Sequence, residues 1–584
     1  IAEEMLSLSS STDEVFNHLC QWTGPFMLAQ GYIGKGDRDL GLANIMTLKD
    51  MELKGDDIGK TVAYSTSIGG MMSSIVKMLK GDYQGAMAQA QHALKEYDRL
   101  EGFGENNQMR LNILNAITTF AWQEGDRATL MDAVVEQSLY LRNFVRAHFQ
   151  TMTYQERCDF WAKYGGWFNV QIPNATLEIP SDTLLREAYN SMLMGKGILL
   201  NSELEVPRLI DKKGNEEIKQ LYKNFQQHKA LLASQQASKW STHDKDSLQH
   251  VLYQEEKDVM FVLREQLGDY TNRLDVTWEQ VRGALKDGES AIEFMVSPLA
   301  EDSVVYSALV VRPGYENPHL VRLFTEEQLT GIEQSQVYTT DKASRLIWCP
   351  LKNELRGINT IYFSSVGQLH NIGIEFLPME ESLISDIYKL YRLSSTREIV
   401  FRQPSPDVSM AVLYGGIDYA AGVDAIYRNN LVQHIPTTNG YRPRSIHKRH
   451  AINGIELLPE TAKEVEQITS LLAKSEISTQ SFLHQQATEE SVKMLSGHTP
   501  TLLHIATHGY FWSKEESRIY GDKSFMQQSV LLTLMDENSQ VAAEDRIMSR
   551  TGLLFAGAEQ SMFGKEFPKN MDDGILTSQE ISRL

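Results

Sequence analysis

His508 closes the stretch Thr501-Leu-Leu-His-Ile-Ala-Thr-His508, and Gly509 follows it at once. Thr501, Leu502, Leu503, Ile505 and Ala506 make the short apolar run of a buried strand. A strand that ends in His-Gly brings an imidazole to the carboxyl end of a sheet, where open α/β folds place their sites. The glycine carries no side chain, so a ligand can approach its backbone N–H closely. The pair is thus a candidate general base, His508, beside a candidate oxyanion donor, Gly509. A lone His at a strand end is more often an ordinary surface residue, so the neighbourhood must decide. His504 and His508 do not read as a metal pair. Positions four apart are about 6 Å apart along a helix but about 13 Å apart on a strand. The glutamate of the helical zinc motif is also missing, because Ile505 stands next to His504. No metal or cofactor is expected.

The elements needed to position His508 can be read around it. Ser409–Gly416 is an apolar run ending in a Gly pair, a strand and its turn. In Leu458–Leu472, Pro459 suits a first helical turn, Glu460 and Glu464 favour the N-terminal end, and Val465, Ile468 and Leu472 recur at helical spacing. Glu476–Leu483 alternates like a strand. Ala487–Leu495 opens with Thr488 and two acids and reads as a second helix. The His508 strand then completes a βαβαβ unit, for which a parallel sheet with right-handed crossovers is the natural fold.

These residues resemble the CHAT proteases, caspase-like cysteine peptidases usually fused to tetratricopeptide repeats. The resemblance rests on His504–Gly509, Leu458–Thr461 with Glu464, Ala487–Glu489 and Asp573–Ile581, with Ile361–His370 and Tyr391–Glu398 upstream. It covers roughly residues 276–584. It implies that His508 is the catalytic histidine and that the Gly509 N–H is one oxyanion donor. In the family a cysteine sits on the strand after the region matching the Asp573–Ile581 helix, usually within Ser-Ala-Cys. The chain's cysteines are Cys20, Cys158 and Cys349, none in that setting. The expectation is therefore that the nucleophile lies beyond Leu584 and that these 584 residues alone are inactive. Cys349, in the apolar Leu346–Pro350, is expected to be buried and inert.

At 584 residues the chain is too long for one core. A net charge of −20 and a pI near 5.3 argue against nucleic acid or anionic membrane as partners. Arg442–His450 is a local basic exception, read as a solvated loop. Three cysteines fit a reducing cytoplasm, and no run is long enough for a membrane span. Neither phosphate-loop fingerprint occurs.

The front half reads as helical. Gly36-Asp37, Gly81-Asp82 and Gly125-Asp126 recur at separations of 45 and 44 residues, and Ala86 and Ala93 lie two turns apart after the middle pair. This resembles tetratricopeptide units, with a period longer than the usual 34 or so. Ile218, Leu221, Phe225, His228 and Leu232, then Leu248, Leu252, Glu255, Val259 and Val262, predict an antiparallel helical hairpin around a polar loop. Each series has one polar member. From Ser290 three strands form a meander: 291–296, 304–311 and 319–324.

The expected architecture is a TPR-like α-helical solenoid over 1–165 and a helical extension over 166–275. An antiparallel or mixed β half-domain follows over 276–405, then a caspase-like α/β subdomain with a mainly parallel sheet over 406–584. The expected function is a cysteine endopeptidase acting on a protein substrate, with a protein or peptide partner on the helical repeats. The alternative is a non-catalytic scaffold.

Overall fold

The computed structural model describes residues 69–98 (save 72, 76 and 79), 108–233, 242–267, 274–299, 303–402, 407–432, 454–498, 500–511, 551–562, 567–568 and 571–581. Gly36-Asp37, Cys20 and Arg442–His450 lie outside them.

The N-terminal half is helical. Helices α1 (Tyr83–Asp98), α2 (Gln108–Glu124) and α3 (Arg127–His148) pack in sequence. The two described Gly-Asp pairs, 81–82 and 125–126, fall at turns, and each residue has its own task. Gly81 and Gly125 take φ of 79° and 70°, the left-handed conformation that ends a helix cheaply only in glycine. The aspartates then open the next helix: Asp126 accepts from Thr129 N–H at 3.1 Å, and Asp82 from Gly85 N–H at 2.8 Å. Ala86, Ala90 and Ala93 are fully buried. A methyl placed on Gly70 would stand 2.9 Å from the Ala93 Cβ, so small residues on both sides permit this approach.

Helices α4 (Tyr154–Gly166), α5 (Ile172–Glu178) and α6 (Asp182–Gly195) follow, then α7 (Ile198–Lys213), α8 (Glu216–Ala233) and α9 (Thr242–Leu267). The last two form the expected hairpin, with Ile218, Phe225 and Val259 buried between them. The polar members of the two series meet: His228 Nδ1 lies 2.8 Å from Glu255 Oε1.

After the short α10 (Trp278–Ala284), a five-stranded mixed sheet runs in the order β3-β2-β1-β4-β5. Its strands are β1 (Glu289–Leu299), β2 (Ser303–Val311), β3 (His319–Thr325), β4 (Thr360–Ser364) and β5 (Lys389–Arg392). The first three form the expected antiparallel meander, while β4 and β5 join parallel to β1. The helices share a core with this sheet: Phe160, Tyr189 and Leu193 bury with Ala291, Met295 and Leu309. A charged bolt crosses the same boundary. Lys196, in the turn after α6, makes a 2.7 Å ion pair with the fully buried Glu293 of β1. Glu293 also accepts from the Thr396 N–H and hydroxyl, at 2.7 Å each. On the sheet's other flank, α11 (Lys342–Ile347) ends at the buried Trp348. Cys349 follows it and is exposed, contrary to the expected buried thiol. Ile347, Trp348 and Leu351 take the core positions of this turn and leave residue 349 facing out.

A second sheet holds β6 (Met410–Gly415), β7 (Ser478–Leu483) and β8 (Leu502–Ile505) in the order β8-β6-β7, all parallel. Helix α12 (Val423–Val432) follows β6, α13 (Pro459–Ala473) precedes β7, and the short α14 (Glu489–Lys493) leads toward β8. Antiparallel strands β9 (Gly509–Phe511), β10 (Thr551–Leu554) and β11 (Ile575–Thr577) form a separate ribbon, and α15 (Ser578–Ile581) follows. Asp573–Ile581, expected to be helical, is thus first a strand. Thr577 then caps α15 with Glu580, whose carboxylate accepts both the Thr577 N–H and its hydroxyl.

Candidate active site

His508 stands three residues past the end of β8, at the carboxyl edge of the parallel sheet, where the sequence places it. It occupies the corner between that sheet and the ribbon, since Gly509 opens β9. The Ala506 N–H still bonds to the Tyr414 carbonyl of β6 at 2.9 Å, so β8 is held in register almost to His508.

The imidazole is half-buried, and its Nε2 lies 2.7 Å from the Glu456 carbonyl oxygen. A carbonyl can only accept, so Nε2 carries the proton and the neutral ring keeps its lone pair on Nδ1. A neutral imidazole with its lone pair on Nδ1 and a backbone acceptor on Nε2 can take up a proton at Nδ1. Tyr419, just past β6, supports the backbone beneath. Its ring centroid lies 5.2 Å from that of His508. The Thr507 hydroxyl donates to the Leu554 carbonyl, so at their 3.0 Å contact Tyr419 donates to Thr507 Oγ1. The Tyr419 oxygen in turn accepts the His508 N–H at 3.2 Å.

Gly509 faces Leu553 across the ribbon. Because the Leu554 N–H bonds to the His508 carbonyl at 2.9 Å, this is a non-hydrogen-bonded pair, and the Gly509 N–H lies off the ladder. A methyl on Gly509 would meet nothing nearer than 3.6 Å among the described residues, and φ there is not positive. Local packing does not demand a glycine here.

His504 is not gathered with His508. Its Nε2 sits 3.4 Å from Glu464 Oε1 of α13. Among the described residues no group of three or more His, Cys, Asp or Glu side chains is arranged to hold a metal ion.

A buried ionic cluster lies behind the ribbon and joins two of the sequence motifs. Lys493 Nζ reaches Glu489 Oε1 at 2.6 Å, Glu580 Oε1 at 2.9 Å and Asp572 Oδ1 at 3.0 Å. Burial opposes charge on Lys493, but the three carboxylates outweigh it and raise its pKa. Burial, then Glu580, pushes Glu489 well above the ordinary carboxylate range. The same two causes, in the same order, lift Asp573 to about 7. The cluster ties α14 to Asp572 before β11 and to Glu580 in α15 after it, and so braces the ends of the ribbon strand β11.

Neither described cysteine belongs to this site. Cys158 is buried in α4, its thiol pushed up by burial to about 11, and Cys349 flanks the first sheet. The residues that sequence reasoning missed are Tyr419, Thr507 and the Glu456 carbonyl.

Residues 339–584 match the CHAT domain, which is caspase-like. The match begins at 339 rather than near 276. Strands β1–β3 therefore precede it, although they share a sheet with β4 and β5 inside it. No curated protein matches the chain. Among the described residues, no helix is long and apolar enough to cross a membrane.

Proposed function

We propose that the protein is a caspase-like cysteine endopeptidase whose helical half recruits or senses a protein partner. The observation that carries this reading is the His508–Glu456 hydrogen bond beside the off-ladder Gly509 N–H. In the proposed cycle Nδ1 of His508 takes the proton of a thiol as its sulfur attacks the scissile carbonyl. The resulting oxyanion accepts from Gly509 N–H, and the imidazolium then protonates the leaving amine as the C–N bond breaks. Water later attacks the thioester, passing its proton to His508, and the thiol is released. The thiol served is neither Cys158 nor Cys349. The turns at Gly81 and Gly125 support a TPR-like helical stack, whose concave face would hold the partner.

Cleavage of a peptide library by the full-length protein, wild type against His508→Ala, tests the reading. Thiol-sensitive cleavage that the substitution abolishes supports it. Equal cleavage by both proteins would sink it. The absence of a thiol facing His508 among the described cysteines favours a second reading, a non-catalytic scaffold. Wild-type protein that cleaves nothing, with its partner bound, would establish that reading instead.

A further inference from the structure

The Glu456 carbonyl that orients His508 belongs to an irregular segment, residues 454–458, so something else must fix it. Upstream, the Ile455 N–H bonds to Glu559 Oε2 at 3.4 Å; downstream, the nearest fixed point is Thr461, in the first turn of α13. Its hydroxyl donates to the Leu458 carbonyl at 2.6 Å, and its N–H reaches the same oxygen at 3.1 Å. The same Oγ1 accepts the Gly416 N–H, at the end of β6, at 2.8 Å. One hydroxyl thus ties the end of the central strand to a carbonyl two residues beyond Glu456.

The glycine pair makes this junction possible. A methyl on Gly415 would stand 2.4 Å from the Thr461 carbonyl oxygen, and one on Gly416 would stand 2.7 Å from the Ala462 Cβ. The first turn of α13 is therefore seated directly on the backbone of the strand end. Leu458 and Glu456 are separated by two peptide units, about 7 Å of chain at most. The His508 bond, at 2.7 Å, weakens steeply once its acceptor shifts by much less than that.

We propose that Thr461 is a positioning residue for His508, setting the imidazole's tautomer through the Glu456 carbonyl. The proposal rests on reading His508 as the base, but its test is made on the ring and needs no activity. Valine at 461 keeps the shape and removes both hydroxyl bonds; serine restores them.

The experiment is nitrogen-15 NMR of the histidine-labelled chain, with His508→Ala assigning the signal. Wild type should show an unprotonated Nδ1 and a protected Nε2–H. In Thr461→Val that proton should exchange with water on the order of tenfold faster, the loss expected for one hydrogen bond. The Nδ1–H form should also become detectable, and Thr461→Ser should behave as wild type. Should the valine variant fail to fold, Thr461→Ala, which adds no atom to the contact, gives the same readout. A hydroxyl-free variant that keeps the wild-type signature overturns the role of Thr461, as does a serine variant that fails to restore it. A wild-type ring protonated on Nδ1 would instead count against His508 as the base.

Discussion

His228 and Glu255 face each other across the α8–α9 hairpin, 2.8 Å apart, each being the single polar residue in an otherwise apolar series apart from the loop. Their meeting fits the hairpin's register, since a slip of one turn would set each against a hydrocarbon, while the buried Ile218, Phe225 and Val259 supply the packing. Both are partly exposed, so their direct attraction is small. His228→Leu or Glu255→Leu should each change stability by no more than about 1 kcal/mol. The double leucine variant should recover any loss. Urea unfolding measures this; a single variant losing several times that amount would contradict it.

Lys196 and Glu293 present the opposite case. Glu293 is fully buried and Lys196 nearly so. Lys196→Met would leave a carboxylate without its cation inside the shared core, at a cost of about 3–5 kcal/mol. Glu293→Gln, which keeps acceptors for Thr396, should cost less. Because helices and sheet share Tyr189, Leu193, Ala291 and Leu309, both halves should lose structure in one thermal transition in wild type. Separate transitions for the helical and β signals would show that the bolt does not couple them.

The cluster around Lys493 predicts a pH dependence with a definite sign. Asp573 is lifted to about 7 by burial and by Glu580. An acid whose folded pKa is raised holds its proton longer in the folded state than in the unfolded one. Its contribution is therefore full below about pH 4 and is lost as pH rises to about 7. Glu489 and Glu490 shift in the same direction. Asp573 remains partly exposed, so solvent moderates the effect. Asp573→Asn should gain melting temperature relative to wild type as pH goes from 5 to 8. A constant difference across that range would refute the assignment.

What could be read in advance follows from how each feature is written in the chain. Helix α13, strand β7 and the hairpin announce themselves by period, because one face of each is the more buried; β6 and β8 announce themselves as short apolar runs, β6 being buried on both faces. His508 was legible because an apolar run stops at it. The Glu456 carbonyl was not, since a backbone group leaves no mark on residue type. The ribbon β9–β11 has strands of three or four residues, too short for alternation to show, so Asp573–Ile581 looked helical. That β4 and β5 extend the β1–β3 meander depends on parallel pairing across dozens of residues, which local pattern cannot register. The exposure of Cys349 is not legible in Leu346–Pro350, because an apolar neighbourhood does not say which residue of a turn faces out.

Gly509 separates a packing role from a chemical one. A methyl there meets nothing closer than 3.6 Å among the described residues and needs no left-handed backbone. Gly509→Ala should therefore fold as wild type, with a melting temperature changed by no more than a few degrees, the scale of about 0.5 kcal/mol. If the N–H receives a substrate oxyanion, the same methyl obstructs the approach and weakens that bond. Loss of one such donor typically costs about 100- to 1,000-fold in rate. The full-length variant should then show a fall in kcat/KM approaching that size, with unaltered stability. A variant as active as wild type would remove Gly509 from the proposed mechanism. A variant that fails to fold would show instead that the glycine is there for packing.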